Sequence, residues 1–244
     1  MRKGWHHRIE PSIKVDTDKF HPNRFNIWYW NQAQMPGVIK AFMQLVAFVE
    51  ESKQGSFDLD PYKELFKRGM KLSHARVLAI GIDLRPEKME SSRLKIGVAL
   101  KNRHKELIRD YFDPQTGNLE LDEFFYQNTN LIGFDFGFNG NTSIKVYPGF
   151  RKDTFDNELL KQHFSPKENE LLLKSISAFY SVVDNSTPEK RVLTVTIPEK
   201  HLQPIMQHEP RLHWMENGGR YIFSFLPVEF EKGKIERFNL YYWE

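Results

Sequence analysis

Cysteine is absent from the 244-residue chain, which excludes disulfides and thiolate-ligated metals. Neither sign of charge dominates: 35 Lys and Arg stand against 32 Asp and Glu, so a nucleic-acid partner is not expected. No apolar run is long enough to cross a bilayer, and the opening Met-Arg-Lys-Gly-Trp-His-His lacks the apolar core of a signal peptide. The expectation is a cytoplasmic protein with no membrane partner. No Gly-rich phosphate loop of the Walker or dinucleotide type occurs, which speaks against nucleotide use. No linker rich in Gly, Ser or Pro divides the chain, so residues 1–244 read as a single domain. Adjacent His6 and His7 face opposite ways on a strand and read as a frayed terminus. No carboxylate pair marks a dedicated metal site either, and none is expected.

What the chain has in abundance is aromatic side chains: 20 Phe, nine Tyr and five Trp, which must pack or line a pocket. They are most regular from Leu131 to Pro148, LIGFDFGFNGNTSIKVYP. Phe134, Phe136 and Phe138 alternate with Gly133, Asp135 and Gly137, and after Asn139-Gly140 the pair Ile144 and Val146 opposes Ser143, Lys145 and Tyr147. This predicts a hairpin that turns at Asn-Gly and resumes pairing at once, with one apolar face and one carrying Asp135, Lys145 and Tyr147.

Before it, strands are predicted at Gly4 to Val15, Arg24 to Trp30, His74 to Leu84 and Ser92 to Leu100. Helices are predicted from Pro36 to Glu51, with Val38, Phe42, Leu45, Val46 and Val49 at helical spacing, and from Pro61 to Met70, Asn102 to Tyr111 and Glu120 to Gln127. In the fourth strand Leu94, Ile96, Val98 and Leu100 oppose Arg93, Lys95, Gly97 and Ala99. After the hairpin, helices are predicted from Thr154 to His163 and Pro166 to Val182. A strand follows at Val192 to Ile197, then a short helix after Pro198 and a weak strand at Leu212 to Trp214. Strands at Tyr221 to Leu226 and Phe238 to Trp243 close the chain. Strand pairs bracketed by helices give an α+β fold: one antiparallel sheet of about ten strands, its apolar face under helices and its polar face turned inward as the sheet closes into a barrel. Ten strands enclose more than the roughly eight whose side chains fill the interior, leaving room for a ligand.

In such a barrel Arg24, Lys95 and Lys145 project into one lumen from three strands. Cations gathered away from water repel each other and lose hydration, so the cluster calls for an anion. Tyr147, Thr194, Thr196 and Tyr241 add hydroxyl donors, and Trp28 an aromatic wall. The set fits a small anion with an apolar attachment, phosphate or diphosphate first. The plainer alternative is that each cation pairs with Asp135, Asp83 or a loop carboxylate.

The stretches Val77 to Arg85 (VLAIGIDLR), Glu90 to Lys95 (ESSRLK), Asn130 to Gly140 (NLIGFDFGFNG) with Ile144 to Tyr147, and Asn239 to Trp243 resemble the cyanobactin peptide prenyltransferases, with few gaps from about Glu10 onward. The resemblance implies a prenyltransferase barrel of αββα repeats. It also implies transfer of an isoprenoid from an allylic diphosphate accompanied by Mg²⁺ to a side chain of a peptide, often macrocyclic; Ile222 and Phe223, filling the end of the prenyl pocket, point to dimethylallyl as the donor group. Glu10 falls on the position of that family's catalytic carboxylate, relative to Arg24 and Phe25. Arg24 and Lys95 fall on its diphosphate-binding positions, to which Lys145, Tyr147, Thr194 and Tyr241 are added. Trp28, Asp135, Ile222, Phe223 and Ser224 are assigned to the prenyl and acceptor pocket, and the chain is expected to act as a monomer. Where the family has further cationic or imidazole side chains after Lys95, this chain has Gly97 and Ala99. That departure favours the competing expectation, a barrel that binds a prenyl diphosphate or another phosphorylated ligand without chemistry.

Overall fold

The computed structural model describes residues 7–15, 20–111, 118–183, 190–196, 222–231 and 234–243. Its first αββα-like unit begins with two paired strands, β1 (His7–Val15) and β2 (Phe20–Tyr29), so His7 lies within a strand instead of a frayed end. Helix α1 (Met35–Glu51) follows, with Pro36 in its first turn, and buries Met35, Val38, Phe42, Val46 and Val49; Leu45, one position off that stripe, is exposed. Helix α2 (Asp60–Lys67) leads to β3 (Ala75–Asp83) and β4 (Arg93–Leu100), and a 3-10 stretch (Asn102–Tyr111) and α3 (Leu119–Gln127) to β5 (Thr129–Gly137) and β6 (Thr142–Arg151).

Two predicted elements differ in detail. The hairpin does not turn at Asn139-Gly140 alone: four residues, 138–141, separate β5 from β6, and Gly140 is the one among them with positive φ, +84°. The extra length comes from Phe138, which leaves the ladder to bury its ring edge-on against Phe57. Its N–H donates to the Ser92 carbonyl, and its own carbonyl accepts from the Ser56 N–H.

The predicted helix from Pro166 to Val182 is a helix followed by a strand. Behind α4 (Glu158–His163), helix α5 (Pro166–Lys174) opens on a Ser165–Glu168 capping box and stops where Ser175 turns extended. The next residues, SAFYSVV, form β7 (Ser177–Val183), because β-branched and aromatic side chains gain more from pairing with β6 and with β8 (Lys190–Thr196) than from a longer helix. Strands β9 (Ile222–Glu231) and β10 (Lys234–Trp243) complete the sheet and run longer than predicted. The short helix after Pro198 and the strand at Leu212 to Trp214 lie outside the described residues.

Among the described residues, every strand has a neighbour on both edges. The order is β1-β10-β9-β8-β7-β6-β5-β4-β3-β2, all antiparallel, with β2 back against β1. The outer face of β3 to β8 sends Leu94, Ile96, Val98, Phe134, Phe136, Val146 and Leu193 into one hydrophobic core with the helices. Phe42 of α1 meets Phe136 at 5.9 Å between ring centres, and Tyr62 of α2 meets Phe134 at 5.5 Å. Because the apolar residues face outward to the helices, the alternate residues of the same strands face the enclosed space. Among the described residues no helix is long and apolar enough to cross a membrane.

Candidate active site

The strand register aligns these inward residues in three neighbouring rows across β1 to β6. Ser12, Arg24, Asp83, Arg93 and Gly137 form the first, and Glu10, Asn26, Gly81, Lys95, Asp135 and Ser143 the second. Arg8, Trp28, Ala79, Gly97, Gly133 and Lys145 form the third. The register of β1 to β6 thus brings Arg24, Lys95, Lys145, Asp135, Trp28 and Glu10 onto one face.

The plainer alternative holds for two of the three predicted cations. Arg24, 7 % exposed, places Nε 3.1 Å from Asp83 Oδ2 and donates from Nη1 to Asn239 Oδ1. Lys145 Nζ lies 2.7 Å from Asp135 Oδ2, so Asp135 serves as a counterion to cations rather than as a pocket wall. Two partners that the sequence reading left out complete the array. Arg93 Nη1 donates to the same Asp135 oxygen at 3.2 Å, its Nε lies 4.0 Å from Asp83, and Arg85 Nε lies 3.1 Å from Asp83 Oδ1. Burial alone would raise both carboxyls, but the surrounding cations win and hold Asp83 and Asp135 below the ordinary carboxylate range.

Lys95 is different. It has no carboxylate within ion-pair distance among the described residues, and it sits between the pairs already made. It keeps part of its surface open to the lumen while protein surrounds it. Burial pulls its ammonium down to about 7, Asp135 and Asp83 oppose that, and Arg24 and Lys145 add to it. Two carboxylates thus face Arg24, Arg85, Arg93, Lys95 and Lys145, and the excess positive charge is what an incoming anion would neutralise.

This sets a pH dependence for anion binding. A polyanion beside Lys95 restores its proton, so the affinity gained is fully present below about 7 and is lost as pH rises above it, by up to about tenfold per pH unit. Inorganic diphosphate, titrated calorimetrically from pH 6 to 9 against wild type and Lys95→Gln, tests this, because the ligand's own ionisation cancels between the two proteins. Parallel pH profiles would take Lys95 out of the anion site.

The hydroxyls divide. Tyr147 lies over Gly133, where a Cβ would come within 3.2 Å of its ring, and burial with the nearby Asp135 pushes its phenol well above 10. Tyr241 stands opposite Ser12, hydrogen-bonded to Asn26, and burial pushes it up as well. Thr194 lies in register with Phe179 and Pro227, away from β1 to β6, and makes no side-chain hydrogen bond among the described residues. Thr196, beyond it, accepts from Ser177 Oγ at 3.1 Å. Ile222, Phe223 and Ser224 belong to β9, and their side chains lie outside the described residues.

Glu10 is 1 % exposed, the least of any carboxylate among the described residues. Its Oε1 lies 3.0 Å from Arg8 Nη2, and its Oε2 accepts from Trp28 Nε1 at 2.7 Å. Burial lowers the Arg8 guanidinium to about 10 against the pull of Glu10. The arrangement sets a charge-paired carboxylate beside the Trp28 ring, in the same row as Lys95 and one row from Arg24. It can bind a multiply charged anion at one place and hold a donor X–H group at another.

The model for a family described as "Family of unknown function (DUF5838)" matches residues 1–197. No curated protein matches the sequence. Among solved structures, the chain is similar to 5-dimethylallyltryptophan synthase from Streptomyces coelicolor, at 12 % identity over 96 % of this chain and 80 % of that one, with a TM-score of 0.61. It is similar to the prenyltransferase PriB in its ternary complex with L-tryptophan and dimethylallyl thiolodiphosphate, at 12 % identity over 96 % and 79 % of the two chains and a TM-score of 0.60. AnaPT from Neosartorya fischeri gives 12 %, 96 %, 77 % and 0.58. The chain shares the prenyltransferase-barrel fold of these proteins.

Proposed function

We propose, for a chain that belongs to the family of unknown function DUF5838, that it is a prenyltransferase which moves a dimethylallyl group from its diphosphate to a side chain of a peptide, macrocyclic in its natural form. The observation that carries this reading is the pairing, inside one lumen, of a surplus of cations around Lys95 with a separate buried carboxylate, Glu10. As the allylic C–O bond breaks, negative charge grows on the leaving diphosphate, and Arg24, Arg93, Lys95 and Lys145 are placed to neutralise it. The allylic cation needs a dry, electron-rich surround, which the faces of Trp28, Tyr147 and Tyr241 supply. Glu10 then takes the acceptor's proton as the new bond forms at the freed carbon.

Mg²⁺ binds diphosphate oxygens in such reactions, but the carboxylates of this lumen are committed to Arg24, Arg85, Arg93 and Lys145 and do not fit a protein metal cage. The chain's own cations carry the charge of the leaving group. On the reading from sequence, Ile222, Phe223 and Ser224 close the far end of the donor pocket.

Gly97 and Ala99 support the second reading, a barrel that only binds its phosphorylated ligand, because they leave β4 without a cation in the third row and in the row beyond it. One experiment separates the two. Incubation with dimethylallyl diphosphate, Mg²⁺ and cyclic peptides carrying single Tyr, Trp, Ser, Thr, His or Arg side chains is expected to add one C5 unit to at least one peptide. Donor binding with no mass shift across the panel leaves the binding barrel.

A further inference from the structure

On β7, Ala178 and Tyr180 are buried in the core beneath the helices, and Phe179 between them faces the lumen. Side chains on a strand stand roughly perpendicular to the sheet, so a phenylalanine here would ordinarily project across the enclosed space. Phe179 leans instead over its register partner on β6, Gly149. A Cβ built on Gly149 would lie 2.9 Å from Phe179 Cε1 and 3.2 Å from its Cδ1. The backbone does not call for glycine there: Gly149 has no positive φ, and its N–H donates to the Asn128 carbonyl at 2.9 Å. The ring is what calls for it. Gly149 lies four residues beyond Lys145, about 13 Å along β6, and Lys145 directs its Nζ the other way, to Asp135. Around Phe179 the inward residues Gly149, Ser177, Thr194 and Thr196 carry no charge, and Arg151, opposite Ser177 at the end of β6, is exposed. A diphosphate belongs with the cations nearer the hairpin, so what meets Phe179 is a neutral part of the bound substrates.

We propose that the Gly149–Phe179 pair sets the bulk of the acceptor. With glycine at 149 the Phe179 ring stays against the wall, and the residues flanking the reacting side chain of a peptide pack on it. A side chain at 149 drives the ring inward across that place. The inference rests on the prenyl-transfer reading and adds to it a determinant of acceptor size. The Cβ of a residue at 149 points to the same side of the sheet as the ring, so the ring yields toward the lumen. The next nearest atom, the Asn128 carbonyl oxygen, lies 3.9 Å away and leaves the methyl in place. The flanking residues that suit this wall are uncharged, because a charge buried against it would lose its hydration and gain no partner there.

The test uses two cyclic peptides that share the reacting residue found in the panel above, flanked in one by glycines and in the other by leucines. Gly149→Ala is expected to lower kcat/KM for the leucine-flanked peptide by about tenfold or more, chiefly through KM, and for the glycine-flanked peptide by less. Phe179→Ala removes the ring that the new methyl displaces. In that background the same Gly149→Ala step is expected to cost about twofold or less, since two residues in contact do not act additively. A loss of equal size for both peptides makes Gly149 a merely structural residue of β6 and overturns the proposal. So does a loss that persists in the Phe179→Ala background, or no loss at all. If wild type prenylates no peptide, the prenyl-transfer reading fails, and the same four proteins are compared by calorimetric binding of the two peptides. Binding that follows the pattern above keeps the size determinant for a barrel that only binds, and binding of neither peptide removes it as well.

Discussion

Asp83→Asn is expected to destabilise the ligand-free protein by about 3–5 kcal/mol, a fall in Tm of about 6–20 °C for a chain of this size. Asp83 is 2 % exposed and is the common counterion of Arg24 and Arg85, with Arg93 at 4.0 Å. An amide in its place keeps the volume but leaves those guanidinium groups facing each other uncompensated. Removing one partner of a buried pair costs far more than the net contribution of the intact pair, because the other charge is left stranded. The pH dependence carries the same sign. The carboxyl is held below its ordinary value of 3.8, so its stabilisation is present above that value and lost as pH falls below it, and the Asn variant should lack this acid limb.

What makes the variant informative about function is its response to an anion. With Asp83 gone the lumen is more positive, so a saturating diphosphate should raise Tm more in Asp83→Asn than in wild type, through its preferential binding to the folded state. Thermal melts with and without millimolar diphosphate decide it. A smaller shift in the variant would mean that Asp83 organises the cations for the anion rather than merely neutralising them, and an unchanged Tm would show that the first row tolerates its charges bare.

The elements that the sequence predicted well are those whose packing is decided locally. Leu94, Ile96, Val98 and Leu100 alternate with Arg93, Lys95, Gly97 and Ala99 without interruption, and a strand with one face under helices needs nothing else to be recognised. The stretch from Pro166 to Val182 failed because its apolar residues suit both periods. Only the extended turn at Ser175 and the partners waiting on β6 and β8 choose the strand, and those partners are distant in sequence. The strands among the described residues are therefore a partly different set from those that the sequence predicts: β7 falls in a predicted helix, while the strand at Leu212 to Trp214 lies outside the described residues. Phe138 shows the same limit on a smaller scale, since its burial against Phe57 depends on a loop about eighty residues upstream.

The site divides along the same line. Strand parity alone put Arg24, Lys95, Lys145 and Trp28 on one face, and the register confirms that they share it. Parity also put Arg93 there, two residues before Lys95, but its position at the end of a loop hid its role. Which carboxylate answers which cation is a matter of register between strands. Asp83 meets Arg24 and Arg93 only because β3 lies between β2 and β4 at that offset, and Asp135 meets Lys145 and Arg93 for the same reason across β5. Glu10 entered through the resemblance, and its contact with Trp28 depends on the β1–β2 pairing, which no local pattern discloses.

Glu10→Gln is expected to lower turnover by about 10²–10⁴-fold while leaving donor affinity unchanged. The amide is nearly isosteric and its oxygen can still accept from Trp28, so the lumen keeps its shape; what is lost is the capacity to take a proton and the negative charge beside Arg8. Donor affinity should stay because the cations proposed to hold the diphosphate are not among Glu10's described contacts: Arg24 and Arg93 are tied to Asp83 and Asp135, and Lys145 to Asp135. Glu10→Asp supplies the complementary measurement. It retains the charge but draws the carboxylate back by one methylene, so a general base acting at hydrogen-bond distance should lose part of its effect, whereas a purely electrostatic counterion to Arg8 should lose little. Steady-state kinetics with donor and peptide varied separately resolve the roles. Turnover reduced in both variants at constant KM for the peptide fits proton removal in the rate-limiting complex, and a peptide KM that rises in step with the fall in turnover makes Glu10 an anchor for the acceptor instead. Wild-type kinetics in Glu10→Gln would remove this carboxylate from the mechanism and leave the prenyl-transfer reading in need of another base.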